Sequence, residues 1–220
     1  FEASLGALKN KYSALITGPI NKALINEYGF EFSGHTEFLA DITNRKNVVM
    51  LLANNILKVA LVTTHLPLKK VHRYINKKKI INHVQLISNF YKKKFNILPK
   101  IGITGLNPHC ESNFHKSEEK EVIIPAIKYL SKKRFKVSGP YAADTIFLRD
   151  KFKKFDVIIG MYHDQVLAPI KSIFGFKAIN ITLGLPFLRI SPDHGPNLEM
   201  FLKNKSNPDS LIEAIRFLER

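Results

Sequence analysis

Short runs rich in Val and Ile, each four or five residues long, alternate along this chain with longer amphipathic stretches. The short runs are Ser13–Ile16, Val48–Leu52, Val59–Thr63, Ile101–Thr104, Val157–Gly160 and Ile179–Leu183. The longer stretches are Asn21–Tyr28, Ile80–Lys94, Glu118–Ser131, Thr145–Phe152 and Asp209–Leu218. Within the second of these, Ile80, Val84, Ile87 and Tyr91 recur at spacings of four, three and four, which draws one apolar stripe down a helix. Strands interleaved with helices predict a layered α/β fold with a mainly parallel sheet. No Ser/Gly-rich linker or internal repeat marks a domain boundary.

Composition narrows the function classes. The 220 residues suffice for one good-sized domain or two small ones, and 45% hydrophobic content is that of a globular chain. No run of 18 or more consecutive apolar residues occurs, and no signal-peptide pattern opens the chain, so no membrane partner is expected. The lone Cys110 excludes an intrachain disulfide and suits a reducing cytoplasm. The net charge of +16 raises the question of nucleic acid, but it rests on 27 Lys against 7 Arg. Base readout favours Arg, and single-strand binding favours aromatics interleaved with basic residues. Neither pattern is present, so no nucleic-acid partner is expected. Such a positive field still attracts small phosphorylated anions.

Three of the eight histidines each follow a strand-like run: His65 in Leu61-Val-Thr-Thr-His, His109 in Gly105-Leu-Asn-Pro-His, and His163 in Gly160-Met-Tyr-His. Loops leaving parallel strands converge at the strand C-termini, where α/β proteins bind ligands. Three neutral imidazoles gathered there can hold one divalent cation with a position open to substrate. Any one of them alone reads more readily as a hydrogen-bonded structural residue. Cys110 beside His109 invites a further ligand reading.

The segments around them form an ordered series. Thr17-Gly-Pro-Ile-Asn-Lys22, Ser33-Gly-His-Thr-Glu-Phe38, Gly105-Leu-Asn-Pro-His109, Gly139-Pro-Tyr-Ala-Ala-Asp-Thr145, Met161-Tyr-His-Asp-Gln165, Asn180-Ile-Thr-Leu-Gly-Leu-Pro-Phe187 and Asp193-His-Gly195 follow one another along the chain. From about Ser13 to its end, the chain resembles the 4-hydroxythreonine-4-phosphate dehydrogenase family, NAD-dependent enzymes of pyridoxal phosphate biosynthesis. That resemblance implies a two-domain α/β/α fold of the isocitrate and isopropylmalate dehydrogenase type. Residues 27–165 would form the second domain, with the metal site and dimer surface. Residues 1–26 and 166–220 would belong to the first, cofactor-side domain. The family's N-terminal third has no counterpart here, so an N-terminally truncated chain is expected.

The same resemblance implies the chemistry: oxidation of 4-phosphooxy-L-threonine at its secondary alcohol, hydride passing to NAD, and ready loss of carbon dioxide from the β-keto acid formed. Two alternatives stand beside it, a paralogue acting on phosphorylated threonate or erythronate, and a non-catalytic remnant. His65, His109 and His163 match the family's ligands to one divalent metal cation, Zn, Mg, Co or Mn; three imidazoles favour the softer ions. His35, Thr36, Lys171, Asn180 and Arg189 match its substrate contacts, with Lys171 and Arg189 supplying cations. Lys171, taken singly, would be one more surface lysine. Asp164 is expected to orient a ligand or carry a proton, and reads equally well as a helix N-cap. Asp193-His-Gly-Pro-Asn197 resembles the loop holding the adenine end of NAD, which implicates His194, Gly195 and Asn197. After His109 the family's glycine-rich stretch becomes Cys110-Glu-Ser-Asn-Phe-His-Lys-Ser117, so a left-handed backbone there would be strained. A homodimer is expected. His72, His83 and His115 are expected to be dispensable for metal.

Overall fold

The structure is a computed structural model. It describes residues 1–29, 32, 34–110, 116–175, 177–196, 198–200, 203 and 205–219. Along the chain run α1 (Glu2–Leu8), β1 (Ala14–Ile16), α2 (Lys22–Glu27), α3 (His35–Ile42), β2 (Val49–Ala53), β3 (Lys58–Leu61), α4 (Leu68–Tyr74) and α5 (Lys77–Phe95). After β4 (Ile101–Thr104), a π-helical turn (Glu119–Ile123) leads into α6 (Ile124–Lys132). β5 (Val137–Tyr141), α7 (Ala143–Ile146), α8 (Arg149–Phe152), β6 (Val157–Gly160), α9 (His163–Phe174), β7 (Ile179–Leu183), β8 (Leu188–Pro192) and α10 (Asp209–Arg216) complete the order.

These elements gather into two compact units, one from Phe1–Asn54 with Phe174–Arg220 and one from Asn55–Ile173. In the second unit the strand order is β3-β6-β4-β5, parallel throughout. Such strands are buried on both faces and consist of apolar residues without alternation. Accordingly Val59, Ala60, Leu61, Val157, Ile158, Ile159, Ile101 and Ile103 are fully or almost fully buried. The α5 stripe of Ile80, Val84, Ile87 and Tyr91 is buried as its spacing requires. Asn76 caps that helix, its side chain accepting from Lys79 N at 2.9 Å, and Asn96 ends it in the left-handed conformation at φ 55°.

In the first unit the order is β1-β8-β7-β2, with β1 parallel to β8 and the other two pairs antiparallel. The β7–β8 connection turns through Gly184 at φ 97°, where an added Cβ would strike the Asn47 carbonyl oxygen. Two strands depart from the sequence reading. β5 carries Gly139-Pro140 and lies at a sheet edge, the position that tolerates a proline. β8 carries the buried polar pair Arg189 and Ser191, so it shows no apolar run. The expected Thr145–Phe152 helix is two single turns, α7 and α8, interrupted at Phe147 and Leu148. Among the described residues no helix is long and apolar enough to cross a membrane.

Candidate functional site

In the second unit, β3, β6 and β4 are neighbours running in one direction, so their C-terminal ends share one edge. His65 follows β3, His109 follows β4 and His163 opens α9 just beyond β6. The β3–β6 ladder continues past both strands: Val62 N donates to Gly160 O at 2.9 Å, and Thr63 Oγ1 donates to Met161 O at 2.7 Å. This extension brings His65 and His163 together, with ring centroids 5.8 Å apart. Two imidazoles each about 2.0–2.1 Å from one cation hold their centroids roughly 5–6 Å apart, so the pair fits a shared ion.

His163 Nδ1 lies 2.7 Å from Asp164 Oδ1. A carboxylate oxygen can only accept here, so the proton sits on Nδ1 and the Nε2 lone pair is left for a ligand. α9 begins at His163, which puts Asp164 inside its first turn and not at the N-cap.

His109 is placed differently. Its Nδ1 lies 3.8 Å from Asp144 Oδ2, both side chains being largely exposed. Among the described residues no three of His, Cys, Asp and Glu stand close enough to hold a metal ion. His109 and Cys110 are consecutive left-handed residues at φ 57° and 58°. L side chains pay roughly 1–2 kcal/mol each in that region. Residues 111–115, including His115, lie outside the described residues.

Two residues missed by sequence reasoning hold these loops. Gln165 is buried in the first turn of α9 and bonded to both β4 and β6 exits. Glu119, buried in the π-helical turn, accepts from Leu106 N and Asn107 N at 2.8 Å each and from Asn107 Nδ2 at 2.9 Å. A buried Gln or Glu carries no periodic signature, and the motif containing Gln165 draws the eye to its histidine and aspartate. Burial pushes the Glu119 carboxyl up, but the hydrogen bonds from Asn107, its own backbone and Leu106 outweigh that and hold it below 4.5. A depressed folded pKa contributes stability above the unfolded value that is lost as pH falls through the folded one. Glu119→Gln is therefore expected to cost about 1–3 kcal/mol at neutral pH. Urea unfolding should show the gap from the parent chain narrowing below pH 4.5.

In the first unit a second polar group surrounds Arg189, which is 4% exposed. Its Nη2 and Nε donate to Thr17 Oγ1 at 2.6 and 3.1 Å, and Nη1 donates to Thr182 Oγ1 at 3.0 Å and Thr36 Oγ1 at 3.5 Å. Burial lowers the guanidinium pKa to about 10, with the Glu37 charge pulling the other way. Arg189 is thus still charged at neutral pH, and its hydrogen-bond partners among the described residues are hydroxyls. Each hydroxyl that accepts from Arg189 keeps its own proton to donate. His35, beside Thr36 at the start of α3, has its pKa lowered by burial and then by the Arg189 charge.

Asn180 shares a face of β7 with Thr182, and its Oδ1 is buried without a hydrogen-bond partner among the described residues. A buried acceptor left unpaired is costly. Lys171 lies on α9 in the second unit, eight residues beyond His163. At 3.6 residues per turn the two are about a quarter-turn apart around the helix and roughly 12 Å apart along it.

The expected dinucleotide loop is exposed at His194 and Gly195, His194 Nδ1 lying 3.1 Å from Gly195 O. Among the described residues nothing stands within 4 Å of a Cβ built at Gly195. Asn197 lies outside the described residues.

Residues 2–218 match the family described as pyridoxal phosphate biosynthetic protein PdxA. The 4-hydroxythreonine-4-phosphate dehydrogenase of Sulfurihydrogenibium sp. (strain YO3AOP1) is 48% identical over 210 residues, covering 94% of this chain and 65% of that protein. The enzyme of that name from Aquifex aeolicus is 41% identical, over 97% of this chain and 66% of its own length. A solved 4-hydroxythreonine-4-phosphate dehydrogenase from Klebsiella pneumoniae superposes with a TM-score of 0.88 at 32% identity, over 99% of this chain and 67% of the other. The chain thus spans just under two thirds of the length of the Sulfurihydrogenibium and Aquifex relatives.

Proposed function

Because this chain belongs to the PdxA family of pyridoxal phosphate biosynthetic proteins, we propose that it serves NAD-dependent oxidation of 4-phosphooxy-L-threonine at its secondary alcohol. The product is a β-keto acid that loses carbon dioxide to give an aminoacetone phosphate. The observation that carries the reading is the buried Arg189, charged and ringed by three threonine hydroxyls. A phosphate or carboxylate is the complement of such a cation.

When bound, a divalent cation supplies Lewis acidity toward the alcohol oxygen, and NAD supplies the hydride acceptor. His65 and His163 would hold the cation, with His109 as third ligand. Asp164 fixes the His163 ring so that Nε2 faces outward, which makes it a positioning residue. Arg189, Thr36 and a His35 held neutral bind the anionic end of the substrate. Asn180 Oδ1 accepts from an ammonium or hydroxyl donor of the substrate. Lys171 adds a cation, and His194 and Gly195 would face the dinucleotide. A second copy of the chain is the proposed partner. NADH formation with each phosphorylated acid, at saturating divalent metal, tests the reading. Turnover of the amino acid alone is the expected result, and silence with all of them overturns it.

A further inference from the structure

Beneath the edge that carries the three histidines lies a small buried polar lattice. Gln165 stands two residues after His163, and its side chain turns back under the loops and is 8% exposed. Its Oε1 accepts from Met161 N at 2.7 Å and from Thr104 Oγ1 at 2.9 Å. Its Nε2 donates to Gly105 O at 2.8 Å. The orientation of the amide follows from its neighbours, since Met161 N–H needs an acceptor and the Gly105 carbonyl needs a donor. One side chain therefore fastens the exit of β6, from which His163 departs, to the exit of β4, where the Gly105–His109 segment begins.

The backbone is cut to admit it. A Cβ at Gly160 would come within 3.1 Å of Gln165 Oε1 and would collide with Val166 Cγ1. A Cβ at Gly105 would come within 2.7 Å of Cys110 Sγ and 3.1 Å of Glu119 Oε1. Thr63, 2% exposed, completes the lattice by donating to Met161 O, which ties the His65 loop to the same residue. Met161 is thus gripped on both sides, its N–H by Gln165 and its C=O by Thr63.

We propose that Gln165 is a positioning residue that sets the spacing of the His109 loop from the His65–His163 pair. Its effect on metal rests on the proposed three-histidine site; its effect on the loops does not. Gln165→Met removes all three bonds at nearly constant length. Gln165→Glu keeps the two acceptor bonds above neutral pH and loses the donor to Gly105 O.

The test is amide hydrogen exchange on both variants, beside titration of Co²⁺ alone into each chain. In Gln165→Met, exchange at Met161 and through Leu106, Asn107 and His109 is expected to rise tenfold or more while the α5 amides keep the parent rates. In Gln165→Glu, Met161 stays protected and only the Leu106–His109 amides loosen, a split that general destabilisation would not give. Cobalt affinity should fall tenfold to a hundredfold in Gln165→Met, the usual scale for a support behind metal ligands. Parent exchange rates at Leu106–His109 in both variants would overturn the proposal. If the parent chain itself binds no cobalt, the metal site fails and the exchange data decide the clamp by themselves. Should Gln165→Met not fold, the Gln165→Glu split is decisive.

Discussion

His163→Ala is expected to weaken binding of Co²⁺ or Zn²⁺ at least a hundredfold, measured by titration into the purified chain, with His72→Ala indistinguishable from the parent. Structural zinc sites with four ligands bind with roughly 10–16 kcal/mol. One ligand of three or four then accounts for about 3–4 kcal/mol, or two to three orders of magnitude in affinity. The ring centroid of His163 is 5.8 Å from that of His65, and its tautomer is set by Asp164, so its loss removes the best oriented ligand of the set. His72 is exposed on α4 and makes a fair control. His83 does not: it is buried, with Nδ1 2.8 Å from Lys79 O and Nε2 3.1 Å from Leu61 O. Its replacement would disturb α5 and the end of β3, whatever happens to metal. Equal cobalt affinity in His163→Ala and the parent would remove the proposed centre.

Arg189→Met should separate stability from function. Binding of the phosphorylated substrate, read as kcat/KM or by calorimetry, is expected to fall by about two to three orders of magnitude, the 2–5 kcal/mol typical of truncating one partner of a buried charge contact. Thermal stability without ligand should hold or rise. Burial lowers the Arg189 pKa to about 10 although the Glu37 charge pulls the other way, so the charge sits there at a cost that its neighbours only partly offset. Methionine fills similar volume without that desolvation, and the hydroxyls of Thr17, Thr36 and Thr182 can rotate to other acceptors. His35 provides a second readout. With the neighbouring charge gone, its pKa should move back toward 6.5 in an NMR titration, leaving only the desolvation shift. A variant that loses stability yet binds substrate as the parent does would make Arg189 a structural residue.

What the sequence revealed divides along physical lines. Strands of the parallel unit were legible because both faces are buried, so Val157–Gly160 and Ile101–Thr104 read as unbroken apolar words. The α5 stripe was legible because one face of a helix repeats at a fixed period. β8 was not, since it carries Arg189, a residue that propensity excludes from a core and that the proposed ligand chemistry requires. The π-helical turn was hidden for a similar reason: Glu119–Ile123 has ordinary helical composition, and only the three bonds on Glu119 reveal what the widened turn holds. Of the site, His65 and His163 followed from their places after strands. Gln165 and Glu119 could not, because a polar residue that will be buried looks like any other until its partners from distant strands are known. Arg189 and Asn180 came from the motif resemblance, and the hydroxyl ring around the one and the orphan acceptor of the other emerge only with burial.

The pairing of β1 with β8 joins Ala14 to Leu188 and Ile16 to Ile190, across the whole of the intervening compact unit. On the ribosome, Asn55–Ile173 is contiguous and can fold as soon as it emerges, whereas β1 awaits β8, the last strand to be synthesised. At 5–20 residues per second that wait is on the order of ten seconds. A circular permutant that places Phe174–Arg220 ahead of Phe1 would shorten the vigil, and its yield of soluble protein in a chaperone-depleted translation reaction would measure how much the ordinary order of synthesis costs.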